Sequence, residues 1–370
     1  MLTLYNAASG VIEPVEIGNT FSIYTCGVTP YDAGHIGHAA TFLNFDVLRR
    51  HIASGGVDVA LVRNITDVDD DMLRKARELQ VHYLDLARAE SEKLELSLRR
   101  LGALPPSALP TASSAIPEIR RMIGELFLGD LAYASGPNVY FDTAKYGELG
   151  SLFHVSEEEM LRLAPLNGAD IDDHRKRNPL DFILWQESAE DEPRWGSPWG
   201  DGRPGWHIEC SALCLREIGA TVDVHGGGSD LRFPHHECEH AQSISANGLP
   251  LARIWMHQEV VTYEGTKMSK SLGNLVFIHD LLEKWDAGAI RLAIISHHYR
   301  ESWEWTDSLI EAASETISRW RRAGGGSGAL EDVKSALNQD LDVPEALASI
   351  DRAVDKGLGV SASLAHLGIE

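Results

Sequence analysis

At 370 residues, with 44% apolar and 24% charged side chains, the chain is long enough for two or three domains around a well-buried core. No run approaches the roughly 18 consecutive apolar residues of a membrane span, and Met1 to Tyr5 lacks the basic flank of a signal peptide, so a cytoplasmic protein is expected. A net charge of −22, without any Lys/Arg run of five, argues against a broad basic face for nucleic acid.

Phe21 to Gly27 alternates and is rich in β-formers, which predicts a strand. The turn-rich Thr29-Pro30-Tyr31-Asp32 follows, then a helical pattern from His35 to about Ile52. Val57 to Val62 reads as a second strand and Thr66 to about Leu79 as a second helix, a rhythm that predicts a parallel α/β sheet. From about His82 to Phe127 the pattern is helical, broken at Leu104-Pro105-Pro106, and Asn138 to Asp142 reads as a short strand. The irregular stretch to Asn178 completes what reads as an insertion spanning about 82–178. The parallel pattern is expected to resume with Pro179 to Trp185, a helix from Trp206 to Ile218, a strand from Thr221 to His225 and a helix from His235. Residues 1–300 would then form the α/β domain and 301–370 a helical segment, with a flexible linker at Gly324 to Gly328.

Four constellations carry chemistry. His35-Ile36-Gly37-His38 opens a helix after a strand, where free backbone N–H groups and the positive dipole end favour phosphate oxygens, and Gly37 permits close approach. Lys267-Met268-Ser269-Lys270-Ser271 lies between Gly265 and Gly273 and suits a developing pyrophosphate. Gly226-Gly227-Gly228-Ser229-Asp230 follows a strand, with Asp230 able to accept from a ribose hydroxyl. Cys26, Cys210, His235 and Glu239 offer soft and borderline donors, and His235 and Glu239 share a helical face. Cys210 and Cys214, also four apart, form an alternative pair, while Cys214 and Cys238 equally suit buried thiols without a ligand. Taken singly, the His pair fits a structural role, the lysine run a solvated turn and the glycine run a flexible loop.

Together these segments resemble the class I aminoacyl-tRNA synthetases, whose HIGH and KMSKS elements both occur verbatim and in order. Cys26-Gly27-Val28-Thr29, Asn64-Ile65-Thr66-Asp67, Gly205-Trp206-His207-Ile208-Glu209-Cys210 and Phe233-Pro234-His235-His236-Glu237 are similar to the cysteine branch of that class. The resemblance runs from about Leu4 to the C-terminus. It implies a Rossmann-type catalytic domain with an inserted connective region and a C-terminal helical domain. It further implies one zinc ion per subunit on Cys26, Cys210, His235 and Glu239, which favours a thiolate over a hydroxyl. Thr29, Thr66 and Trp206 would shape the cysteine pocket. His35, His38, Lys267 and Lys270 would stabilise charge on the phosphates, aided by Mg²⁺, while Gly37, Gly226, Gly227, Gly228, Asp230, Ser269 and Ser271 would hold ATP.

Two branches share this chemistry: one esterifies tRNA, the other joins cysteine to the amine of glucosaminyl-inositol on the mycothiol pathway. Ala40 stands where tRNA enzymes typically show arginine, the acidic charge disfavours tRNA, and no anticodon-binding domain follows the helical segment. These features favour glucosaminyl-inositol as acceptor; a monomer is expected. Glu239 is more typical of the tRNA enzymes, so tRNA stands as the alternative, with a third acceptor behind it. A non-catalytic binding module is disfavoured because every motif lysine and metal donor is retained.

Overall fold

The computed structural model describes residues 1–31, 34–268 and 273–369. Its centre is a four-stranded parallel sheet made by β1 (Thr20–Val28), β2 (Asp58–Ile65), β3 (Val222–Gly228) and β4 (Ala252–Gln258), in the order β4-β3-β1-β2. Phe21, Ile23, Tyr24, Thr25 and Cys26 are all buried, as expected of a central strand covered on both faces. Helix α1 (Ile36–Ala53) connects β1 to β2, whereas β3 pairs with the opposite edge of β1. The strand order therefore reverses between β1 and β3, and a crevice opens beyond their carboxyl ends.

Helix α1 is buried on nearly every face. Ile36, Leu43, Val47 and Leu48 share a core with Ile23, Val224 and Ile254 of the sheet and with Trp320, Leu337, Ile350 and Leu367 of the last helices. The expected C-terminal helical segment is thus packed on the catalytic core. The Gly324 to Gly328 stretch, expected to be a flexible linker, is instead a tied turn. Val360 N–H donates to Gly324 at 3.1 Å, and Gly328 N–H donates to Gly359 at 2.8 Å. A Cβ at Gly359 would lie 2.1 Å from the Gly325 carbonyl oxygen, so this crossing requires glycine.

The insertion also differs from expectation. Phe182–Glu187, expected in the parallel sheet, pairs antiparallel with Asn138–Phe141 and with Gly202–Pro204. With Ala132–Ser135 they form a separate four-stranded antiparallel sheet. Phe182, Leu184 and Trp185 face helix α2 (Trp206–Glu217) through a core that includes Ile208, Cys210 and Leu213. A second tie comes from Glu237, which opens α3 (Glu237–Asn247) and accepts from the Gly150 N–H at 2.8 Å and the Leu152 N–H at 3.1 Å. Both contacts fix the insertion as a wall beside the crevice. The helix expected from Thr66 begins later, at Asp70, because the Asp69 carboxylate caps it by accepting from the Asp71 N–H at 2.9 Å.

Candidate functional site

The buried polar cluster sits where β1, α2 and α3 converge. Donor atoms of Cys26, Cys210, His235 and Glu239 lie within 4.8 Å of one another, and all four residues are buried. A tetrahedral zinc shell has edges of about 3.3–3.8 Å, so this set closes on an ion with small side-chain movements. Cys26 comes from the end of β1, Cys210 from the first turns of α2, His235 from the helical turn Arg232–His236 that leads into α3, and Glu239 from the first turn of α3. The alternative donor, Cys214, is in neither donor cluster among the described residues and packs in the apolar core with Leu213 and Val222. Cys238 is likewise buried as a thiol, outside both clusters.

The chemistry of the donors fits a cation. His235 Nε2 and Glu239 Oε1 are fully enclosed without a hydrogen-bond partner among the described residues. Glu239 Oε2 lies 3.5 Å from Cys26 Sγ and 3.6 Å from His235 Nε2. Burial pushes the Cys26 thiol well up and the His235 imidazole well down, so protein atoms alone oppose charge there. A dication reverses that balance for thiolate and carboxylate. His235 Nδ1 is held 2.9 Å from His207 Nδ1, which leaves Nε2 directed at the cluster. The ring of Trp206 stacks on His235 at 4.2 Å between centroids and 22° between planes.

Sequence reading missed a second layer. His225 Nε2 is 3.2 Å from Glu239 Oε2, and His236 Nδ1 is 2.8 Å from His257 Nε2. Cys26, His225, His236 and Glu239 form a second group of the same compactness. His257 lies on β4, opposite Gly227 of β3, and the strand signal in Ile254-Trp255-Met256 would have brought it to the site.

A cavity of about 980 Å³ opens above the cluster. Its walls include Thr29, Thr66, Trp206, Cys26, Cys210 and His235, so the three expected cysteine-pocket residues and three of the metal donors share one space. Asn64 links β1 to this wall: its Oδ1 accepts from the Gly27 N–H at 2.8 Å and its Nδ2 donates to Thr66 Oγ1 at 3.2 Å.

A smaller cavity of about 210 Å³ adjoins it, lined by His35, Gly37, His38, Gly228, Asp230, Gln258 and Lys267. His35 caps α1 by accepting at Nδ1 from the Gly37 N–H at 3.1 Å, and its ring lies 3.9 Å from that of His38. Lys267 Nζ is 2.8 Å from Asp230 Oδ2, joining two residues expected at ATP. Gly226 and Gly227 continue β3 instead of forming a loop, and neither lines the smaller cavity; a Cβ on Gly226 would lie 1.8 Å from the Met256 carbonyl oxygen. Ser269, Lys270 and Ser271 lie outside the described residues.

Residues 12–315 match the family of tRNA synthetases class I (C) catalytic domains. The chain is 40% identical over 364 residues to an L-cysteine:1D-myo-inositol 2-amino-2-deoxy-alpha-D-glucopyranoside ligase of Streptosporangium roseum, covering 96% of this chain and 89% of that relative. A ligase of the same name from Thermobispora bispora is 43% identical over 357 residues, covering 95% and 89% of the two chains. Among solved structures, methionyl-tRNA synthetase of Mycobacterium tuberculosis with methionyl-adenylate superposes with a TM-score of 0.70 at 15% identity, over 95% of this chain and 87% of that one. A leucyl-tRNA synthetase of Agrobacterium radiobacter gives a TM-score of 0.67 at 12% identity, over 96% and 83%, which likewise speaks to the fold.

Proposed function

We propose that this chain, which belongs to the class I (C) tRNA synthetase catalytic-domain family, is an ATP-dependent ligase that activates L-cysteine and joins it to the amine of glucosaminyl-inositol. The observation that carries the reading is the enclosed Cys26, Cys210, His235 and Glu239 set at the floor of a cavity shared with Thr66 and Trp206. Zinc held by those four side chains would supply a soft centre that prefers a substrate thiolate to a serine hydroxyl. The named ligase relatives support glucosaminyl-inositol over tRNA as acceptor.

Cysteine then lies with its side chain toward the cluster, beneath Trp206 and beside Thr66 and Thr29. Its carboxylate points to the smaller cavity, where ATP sits with adenosine near Gly228 and Asp230 and phosphates at the start of α1. His35, His38 and Lys267 border the smaller cavity and meet the charge that develops as pyrophosphate leaves. ATP enters as its Mg²⁺ complex. Lys270, Ser269 and Ser271 belong to this step on their sequence signature alone. Among the described residues no helix is long and apolar enough to cross a membrane. We place the enzyme in the cytoplasm, working as a monomer.

The test is a pair of rates: cysteine-dependent exchange of pyrophosphate into ATP, then AMP release on adding glucosaminyl-inositol. Exchange with cysteine and little with serine, followed by acceptor-dependent AMP, is expected. Equal exchange with serine would remove the metal-based selectivity from the account.

A further inference from the structure

Beyond the cysteine pocket, the large cavity extends along the loop that follows β2, where Asp67, Asp69, Asp70 and Asp71 occur within five residues. Three of these carboxylates are committed. Asp67 is buried and accepts from the Ser113 N–H at 2.8 Å and from its hydroxyl at 2.5 Å. Asp70 is paired with Arg203. Asp71 is paired with Arg74 at 2.7 Å and accepts from the Tyr31 hydroxyl at 3.1 Å. Asp69 alone has no side-chain partner among the described residues; its bonds come from the Asp71 and Met72 backbone N–H groups. It lines the same cavity as Thr66, Trp206 and Cys210.

We propose that Asp69 is the general base that takes a proton from the acceptor's ammonium group, freeing the amine to attack the cysteinyl-adenylate carbonyl. The inference rests on the amine-acceptor reading above. An amino-sugar arrives largely as R–NH₃⁺ and cannot attack in that form. Its first proton passes to the Asp69 carboxylate, and the nitrogen lone pair then forms the C–N bond. The C–O bond to the α-phosphate breaks, AMP departs with that electron pair, and the nitrogen releases its second proton to water at the cavity mouth. Atoms and charge balance without any further reactant.

The surroundings suit this task. Desolvation raises the Asp69 carboxyl to about 6, with backbone donors opposing and the Asp70 and Asp71 charges reinforcing the shift. Behind the cavity wall Glu209, fully buried and with both carboxyl oxygens lacking a hydrogen-bond partner among the described residues, stands within electrostatic range of Asp69 and of Asp67. His207, Lys75, Arg74 and Lys176 border the same space. A base of this strength is ionised at neutral pH and still accepts a proton readily, the condition for efficient general-base catalysis.

Asp69→Asn separates charge from structure, because Asn caps a helix as well as Asp does. Asp69→Ser, another capping residue, guards against an effect peculiar to the amide. Amide formation with glucosaminyl-inositol and cysteine-dependent pyrophosphate exchange are measured from pH 5 to 9, all three proteins being compared. The account predicts that in both variants transfer falls at least about 100-fold more than exchange. In the unsubstituted enzyme, kcat/KM for the acceptor should fall as pH drops through about 6, and that limb should vanish in the variants. Titration of the acceptor's own amine is common to all three and cancels. Parallel losses in transfer and exchange, or an unchanged acidic limb, would overturn the role of Asp69 while leaving the ligase reading intact. Absence of amide from the unsubstituted enzyme would overturn the acceptor reading and this assignment with it.

Discussion

Cys26 Sγ lies 3.5 Å from Glu239 Oε2, both enclosed by protein, and such a pair is costly unless a cation joins it. Cys210→Ala should therefore lower bound zinc, read by metal analysis, and abolish cysteine-dependent pyrophosphate exchange. Full zinc content with near-normal exchange would refute the donor set. Lys267→Ala should slow adenylation by more than tenfold while changing the Kd for cysteine by less, because Lys267 borders the smaller cavity in which we propose the phosphates sit. Rapid-mixing rates set against equilibrium cysteine binding separate the two. At this scale much was readable: His235 and Glu239 four apart on one face, and His35 and His38 opening a helix. His225 and His257 escape a sequence reading because their meeting depends on the register of β3 against β4, and His236, just before α3, because no local pattern shows its ring reaching them.

Elements explain why the site has this shape. Gly226 looks like a loop residue in a Gly-Gly-Gly-Ser-Asp run, yet it is a strand residue pressed against β4 and α1. A Cβ there would lie 1.8 Å from the Met256 carbonyl oxygen and 2.7 Å from Phe45 Cζ. Gly226→Ala should destabilise the fold by about 1–3 kcal/mol, read as a lower midpoint in urea. β1, α1, β2 and α2 were legible because their apolar periodicity is strong and uninterrupted. Phe182–Glu187 was assigned to the wrong sheet because a short apolar run does not disclose whether its partners are parallel or antiparallel. The start of the helix at Asp70 was also misplaced; Asp69 is the cap, and the residues before it form cavity wall instead of helix.

Across the whole molecule, the last helices are secured to the catalytic core by one buried cation. Arg291 is fully buried and donates to Asp46 Oδ2 at 2.6 Å, to the Leu367 carbonyl at 2.8 Å and to the Leu101 carbonyl at 3.2 Å. Asp46→Ala removes a carboxylate shared by Arg291 and Arg50 and should cost about 1.5–3 kcal/mol, measured by denaturant unfolding. His51 and His366 meet nearby at 3.2 Å, and burial lowers both, His366 to about 4. A histidine whose folded value lies below its unfolded value of about 6.5 contributes stability that is present above pH 6.5 and lost as pH falls toward 4. The thermal midpoint should therefore fall across that window, less so in His366→Gln. Residues of the C-terminal segment, from Trp303 to Leu367, share one apolar core with α1. Long-range packing of this kind has no local signature.

Acceptor choice is the central claim, and competition tests it most directly. The enzyme, with ATP, Mg²⁺ and isotopically labelled cysteine, is offered glucosaminyl-inositol and unmodified tRNA together, and the products are identified by mass. The account predicts cysteinyl-glucosaminyl-inositol as the labelled product, with tRNA left uncharged. Cysteinyl-tRNA in its place would contradict the account and make the chain a synthetase.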